Sequence, residues 1–249
     1  MTVQTLKDAT ALVTGADTDL GRAMVAKLAA AGARVAAHCL DEQAQVPGAE
    51  FHVSAGACDE GALRTAFEHV QASFGQLNLL VLCHAIPMSG GLLEQSLEAF
   101  WTHQDEQLSG SFLICQLATP LLKAASWGRV VLTCSGWSAG APNLSAVATA
   151  AGGVQLLCKT LARELGPHGI TVNALAHAFT DSEWLSCDAA ALNLSADDIR
   201  TQAASLVPAG RLGSPAQIAA SALLLCQPVI GAAVAQTLQC SGGYFRRRT

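Results

Sequence analysis

The chain has 249 residues, a length that suits one large α/β domain with a single core. Its net charge is −5 at pH 7, with 13% charged residues, which excludes the broad basic surface that a nucleic-acid partner needs. No stretch approaches the ~20 apolar residues of a membrane span, and no secretory leader opens the chain, so we expect a cytoplasmic protein without a membrane partner.

The charged fraction is roughly half that of an ordinary globular domain. We therefore expect subunit contacts to cover part of the surface, although an alanine-rich chain with a neutral surface is an alternative. The nine cysteines are scattered singly, with no Cys-x-x-Cys pair and no His at ligand spacing. They predict reduced, apolar-packing side chains and no metal site. The only basic cluster, Arg246 to Arg248, is typical of a solvated tail.

Strand and helix patterns alternate along the whole chain. An apolar run at 9–14 ends at Gly15, and residues 20–31 continue with helical spacing, which is typical of the opening of a dinucleotide-binding unit. Further strands are predicted at 34–39, 50–53, 79–83, 129–133, 170–175 and 234–238, and further helices at 59–74, 96–124, 143–165 and 215–226. This order predicts a doubly wound α/β fold, a Rossmann-type parallel sheet of about seven strands with helices on both faces, in one domain over residues 1–249.

The segment 143–165 is predicted to be one long helix with an apolar stripe. Its apolar residues alternate at spacings of three and four, at Leu144, Val147, Ala151, Val154, Cys158, Leu161 and Leu165. The segment 180–212 is the least regular part of the chain, and we expect it to cap a crevice at the carboxyl ends of the strands. Trp184 and Leu185 would either line an apolar pocket there or anchor the segment to the core.

Seven short motifs occur in order along the chain. They are TGADTDLG at 14–21, FGQLNLLV at 74–81, GRVV at 128–131, LAREL at 161–165, GITVN at 169–173, PAGRLG at 208–213 and SGG at 241–243. Together they resemble the short-chain dehydrogenase/reductase family, closest to its ketoacyl-reductase-like branch. The resemblance implies an NAD(P)-dependent oxidoreductase fold, in which a Tyr and a Lys four residues later carry the proton chemistry beside a Ser and an Asn.

The four catalytic positions of the family are degenerate in this chain. Matched residue by residue, they are Gln107 for the Asn, Ser135 for the Ser, Val147 for the Tyr and Ala151 for the Lys. Only Ser135 keeps the family's residue type, and the single tyrosine, Tyr244, follows the last predicted strand. The resemblance therefore implies that this chain has no catalytic residues.

The phosphate loop of the family has three glycines, of which Gly15 and Gly21 remain and the middle one is Asp19. A carboxylate ~5 Å from a phosphate at an effective dielectric near 20 costs on the order of 3 kcal/mol. We also expect Asp19 to cap the helix that begins at Leu20, where it would occupy the amides that a phosphate uses.

Other cofactor positions have changed as well. Cys39 replaces the Asp that accepts from the ribose hydroxyls, although Asp41 is a possible substitute, and Gly56 replaces the Asp near the adenine. After strands four and six, the family's Asn, Asn and Pro become Cys83, His84 and His177. We expect no cofactor on this chain, and we expect NAD on an active partner.

The resemblance thus implies a non-catalytic subunit of a hetero-oligomeric dehydrogenase, paired through its two long helices with an intact paralogous subunit as a heterodimer or heterotetramer. A similar pairing of active and inactive subunits occurs in the hydroxyacyl-CoA dehydrogenase of anaerobic toluene degradation. Two alternatives remain open. The chain is a stand-alone ligand-binding or regulatory protein, or it is an active oxidoreductase that uses His84 or His177 as an unorthodox acid. His103 is predicted to be a surface residue.

Overall fold

The computed structural model describes residues 6–245, in which seven strands form one fully parallel sheet in the order β3-β2-β1-β4-β5-β6-β7. The strands are β1 (Thr10–Thr14), β2 (Arg34–Cys39), β3 (Phe51–Ser54), β4 (Leu79–Leu82), β5 (Gly128–Ser135), β6 (Ile170–His177) and β7 (Thr237–Cys240). The helices are α1 (Asp19–Ala30), α2 (Glu60–Phe74), α3 (Leu97–Gln104), α4 (Gly110–Ala124), α5 (Ser145–Leu165), α6 (Leu185–Leu192), α7 (Ala196–Leu206) and α8 (Pro215–Leu225). The predicted doubly wound fold is confirmed.

Helices cover both faces of the sheet, which explains why its central strands are continuous apolar runs. Successive strand residues point to opposite faces, so Leu12 packs with α2, α4 and α5 while Val13 packs with α1 and α8. The seven stripe residues, six in α5 and Leu144 at its N-cap, are all buried, as predicted. Two apolar cores therefore fix the sheet between its helical layers.

Two predicted segments differ from the structure. The helix expected over 96–124 is interrupted by a π-helical turn at Asp105–Ser109, which separates α3 from α4. The segment expected to be irregular over 180–212 contains α6 and α7. The alanine-rich sequence of this segment gives little indication of the two helices. Ser195 and Asp198 form a capping box that starts α7.

None of the helices within residues 6–245 is long and apolar enough to cross a membrane. The nine cysteines are all free, and most are buried as expected, with Cys58 exposed and Cys240 half-buried. No group of three or more His, Cys, Asp or Glu side chains in the described part of the chain is arranged to hold a metal ion. Arg246 to Arg248 lie outside the described residues.

Candidate cofactor and catalytic crevice

The sequence-predicted site residues meet at the carboxyl edge of the sheet. The strand order reverses between β1 and β4, and a doubly wound fold has its ligand crevice at such a point. The loop after β1, the ends of β4, β5 and β6, and the start of α5 all contribute to this crevice. The residues brought there are Gly15, Asp19, Gly21, Cys83, His84, Gln107, Ser135, Val147, Ala151 and His177, while Cys39 and Gly56 follow β2 and β3 at one side.

Gly15 and Gly21 are required by the tight turn itself. Gly15 has φ +57°, and a Cβ at this position would clash with the backbone of His84. A Cβ at Gly21 would clash with the carbonyl oxygen of Gly15. Both glycines are therefore needed for backbone packing whether or not a phosphate binds.

Thr18, and not Asp19, caps α1, so the predicted cap is wrong by one residue. Thr18 has extended backbone angles, and its Oγ1 accepts from the N–H of Gly21 at 3.0 Å and donates to the carbonyl of Gly15 at 2.7 Å. Asp19 is the first residue of the helix and is exposed. Its charge is still favourable at the helix N-terminus, but Thr18 is the residue that occupies an amide.

Asp17, which the sequence analysis missed, ties the loop after β1 to the loop after β2. Its Oδ2 accepts from the N–H groups of Leu40 and Asp41, each at 3.0 Å. The carboxylate of Asp41 accepts from the N–H of Gln43 at 2.9 Å and so closes its own turn. Burial raises the pKa of the Cys39 thiol to about 11, which leaves it neutral. The ribose side of the crevice is thus occupied by contacts of the chain itself.

His84 lies in a closed circuit of hydrogen bonds. Ser111 Oγ donates to the carbonyl of Gln107 at 2.6 Å, so it accepts from His84 Nε2 at 3.3 Å, and His84 Nδ1 accepts from Thr14 Oγ1 at 2.7 Å. Gln107 Nε2 completes the circuit by donating to the carbonyl of His84 at 3.0 Å. Burial lowers the pKa of His84 to about 3. His84 is therefore neutral with both ring nitrogens engaged, and Gln107 positions the backbone.

Three other histidines within residues 6–245 are buried, and burial lowers the pKa of each. The ring of His177 meets the edge of Trp184, with centroids 5.8 Å apart, and burial lowers the pKa of His177 to about 4. The predicted surface location of His103 is wrong, because α3 turns this residue onto α5, where burial lowers its pKa to about 4. His38, at the end of β2, is also buried, and neither of its ring nitrogens has a hydrogen-bond partner among the described residues.

The positions of the family's Tyr and Lys are part of the apolar interior. Val147 is 1% exposed and Ala151 is 3% exposed. Val147 belongs to a third apolar cluster with Trp137 and Trp184, whereas Ala151 lies in the core beside α4. Ser135 Oγ accepts from the N–H of Trp137 at 3.2 Å and so starts a short 3₁₀ turn. The four tetrad positions therefore contain no Tyr–Lys pair.

Aromatic side chains fill the third cluster. Phe179 packs on Tyr244 with centroids 4.6 Å apart, and Trp137 packs on Phe245 at 4.8 Å. Trp184 and Leu185 are both buried in the same cluster, so they anchor the segment to the core instead of lining an open pocket. Tyr244 is held by tilted and edge-on ring contacts and is far along the sequence from the helix that carries the family's Tyr.

Asp188 is a second residue that the sequence analysis missed. This α6 carboxylate is 2% exposed, and it accepts from Trp137 Nε1 at 2.7 Å and from the N–H of Phe179. Burial raises its pKa to about 7, against the opposing effect of these donors. The sequence offers no signal for it beyond one acidic residue within an apolar run.

Residues 15–245 match the family model described as "Enoyl-(Acyl carrier protein) reductase". The chain belongs to the short-chain dehydrogenase/reductase family. It is 28% identical over 246 residues to the short-chain reductase protein NovJ of Streptomyces niveus, covering 95% of this chain and 94% of that one. It is 27% identical over 252 residues to the 3-oxoacyl-(acyl-carrier-protein) reductase FabG of Aquifex aeolicus, covering 96% and 98%.

Solved structures have the same fold. The ligand-free aldohexose dehydrogenase AldT of Thermoplasma acidophilum superposes with a TM-score of 0.88 at 20% identity, covering 98% of this chain and 97% of that one. A dehydrogenase/reductase from Sinorhizobium meliloti superposes with a TM-score of 0.86 at 25% identity, covering 97% of both chains. The predicted family is confirmed, and it is a family of oxidoreductases that normally bind NAD(P).

The crevice of this short-chain dehydrogenase homologue is a poor fit for a dinucleotide. Glu183, from the segment after β6, has both carboxylate oxygens buried, and neither has a hydrogen-bond partner within residues 6–245. Burial raises the pKa of Glu183, and the adjacent Asp19 carboxylate raises it further. With Asp17, three carboxylates surround the glycine turn, and a diphosphate would bring further negative charge to the same place. The residues present therefore do not fit the cofactor's phosphates.

Proposed function

We propose that this chain is a non-catalytic subunit of a hetero-oligomeric NAD-dependent short-chain dehydrogenase acting on an alcohol or hydroxyacyl-CoA. An intact paralogous subunit supplies the cofactor site and the catalytic tetrad. The observation that carries this proposal is the burial of Val147 and Ala151 at the positions of the family's Tyr and Lys. General acid catalysis is typically worth ~10²–10⁴ in rate, so a chain without its acid has negligible turnover.

The crevice contents favour a subunit over the other two functions. A stand-alone ligand-binding protein needs an open pocket, but Trp137, Phe179 and Trp184 pack together where substrate would lie. An unorthodox acid must hold a proton near neutral pH, but burial lowers the pKa of His84 to about 3 and the pKa of His177 to about 4. Both ring nitrogens of His84 are also engaged in hydrogen bonds. A replacement acid also achieves nothing without a nicotinamide, and the carboxylates around the glycine turn disfavour one.

An apolar outer face on α3, α4 and α5 supports association with another subunit. Trp101 is 55% exposed, Phe112 is 49% exposed and Leu156 is 64% exposed. Leu156 lies on the side of α5 opposite its buried stripe, so this apolar surface is additional to the core. Each ~100 Å² of apolar area that a partner covers contributes roughly 2.5 kcal/mol before the cost of association.

We infer the substrate of the complex from the members of the short-chain dehydrogenase/reductase family that the chain resembles. Anaerobic toluene degradation, in which a hydroxybenzylsuccinyl-CoA thioester is oxidised by paired active and inactive subunits, is the specific setting that we propose. The purified complex should then reduce NAD with this thioester faster than with short unbranched 3-hydroxyacyl-CoA thioesters. Equal or greater rates with the unbranched thioesters would contradict this setting but leave the subunit role intact.

Charged substitutions on the outer face test the subunit role. In a strain that also expresses the intact paralogue, Phe112→Lys and Leu156→Lys should each abolish co-purification and the partner's activity, because a charge is placed in an apolar contact. The matched control is Gln71→Lys, on the exposed side of α2, which should leave both unchanged. Full partner activity in the two interface variants would contradict the proposal.

A further inference from the structure

The helix α6 is tied to three separate loops of the crevice. Asp188 reaches the loop after β5 through Trp137 Nε1 and the loop after β6 through the N–H of Phe179. The Sγ of Cys187 donates to the carbonyl of Met88, after β4, at 3.4 Å. These hydrogen bonds join one short helix to three loops, so α6 is an integral part of the crevice wall.

The surface beneath α6 is apolar and aromatic. Trp137, Val147, Phe179 and Trp184 are buried there in one cluster with Leu185. Large aromatic side chains each bury ~150–250 Å², so exposing two of them to water is strongly unfavourable. Segments that open to admit ligands come from the least stable parts of a fold. A helix packed on a buried aromatic cluster is instead locally stable.

Asp188 is the buried carboxylate of α6 that contacts this cluster. It accepts two hydrogen bonds from donors on different loops, and both donors lie in apolar surroundings. Without the carboxylate, the indole N–H of Trp137 and the backbone N–H of Phe179 would each be buried without a partner, unless α6 moves away and water enters. Loss of the carboxylate therefore favours an open arrangement locally.

We propose that the hydrogen bonds of Asp188 hold α6 closed over the apolar crevice, so that removing the carboxylate opens this segment while the sheet stays folded. The closure is built into the chain's own contacts. It holds whether or not the chain acts as a subunit, because every contact named here lies within one chain.

Hydrogen exchange followed by mass spectrometry on the full chain tests whether Asp188 holds α6 closed. Asp188→Ala should speed exchange in α6 by about tenfold or more, leave β1, β4 and β5 unchanged, and create a site for the apolar dye 8-anilinonaphthalene sulfonate. Asp188→Asn keeps one acceptor for Trp137 and loses the second, so it should speed α6 exchange by a smaller factor. Asp197→Ala, which removes an exposed carboxylate from α7, is the matched control and should match the wild-type protein.

Two results would overturn the proposal. In the first, α6 of Asp188→Ala exchanges as slowly as in the wild type. In the second, α6 and the sheet lose protection by the same factor, which would make Asp188 a residue of general stability. If Asp188→Ala does not fold, the same measurement is made on Asp188→Asn. Exchange in α6 that is unchanged, or that rises by the same factor as in the sheet, would then equally overturn the proposal.

Discussion

Mild acid should unfold this protein over a narrow pH range, because four imidazoles are buried in their neutral form. Burial lowers the pKa of His38, of His84 to about 3, and of His103 and His177 to about 4. In the unfolded chain their pKa values return to the ordinary 6.5. Unfolding therefore takes up protons. The stability linked to these groups is fully present above pH 6.5 and is lost as the pH falls towards the folded-state values.

The magnitude follows from the size of the shifts. For His103 and His177, lowering the pKa from 6.5 to about 4 corresponds to roughly 3 kcal/mol each. Near pH 5, His84, His103 and His177 together take up close to three protons on unfolding. Asp188 opposes them, since its pKa of about 7 lets the folded state hold one proton that the unfolded chain releases. These three histidines and Asp188 together give a net uptake of about two protons, which lowers the free energy of unfolding by about 2.5 kcal/mol per pH unit, against a typical total of ~5–15 kcal/mol.

Urea unfolding followed by circular dichroism between about pH 5 and 8 measures this slope. His103→Leu should remove about one proton from the slope and raise stability at the acid end, because neither ring nitrogen of His103 has a partner among the described residues. The control is His168→Leu at an exposed position, which should leave the slope unchanged. A slope below about one proton, or an unchanged slope in His103→Leu, would refute the reasoning.

Three further outcomes are expected. Purified alone, the chain should bind neither NAD(H) nor NADP(H) at about millimolar concentration, even as Asp19→Gly, and a micromolar Kd by calorimetry would contradict this. Ser135→Ala should leave turnover of the assembled complex within about twofold, because its hydroxyl serves the N–H of Trp137. A loss above about tenfold with assembly intact would indicate chemistry in this crevice. Val147→Tyr combined with Ala151→Lys restores the family's residue types, but it should lower the Tm by ~10 °C or more, since both positions are buried. A stable, active double variant would count against the account of the crevice.

The fold was predictable because it depends on periodicity and on short runs that the sequence displays. Apolar runs buried on both faces predicted all seven strands, most within one or two residues of the observed ends, and the stripe on α5 predicted its buried side. The glycine turn at Gly15 and the motif order predicted where the crevice lies. These features are local, so no tertiary contact was needed to recognise them.

The contacts that decide the crevice were not predictable, because they join distant parts of the chain. Asp188 is held by Trp137, 51 residues away, and Asp17 binds amides 23 and 24 residues later. His103 is polar in sequence, but the packing of α3 on α5 buries it. The cap of α1 at Thr18 depends on the backbone angles of one residue. Thr18 and Asp19 are both cap-forming residue types, so the sequence alone does not show which of them caps the helix.

Native mass spectrometry of this chain co-expressed with the intact paralogue tests most directly whether it is a subunit without chemistry of its own. The expected result is a mixed dimer or tetramer that contains both chains, with a partner that is unstable or inactive when expressed alone. Homo-oligomers only, together with a paralogue that is fully active by itself, would contradict the subunit role.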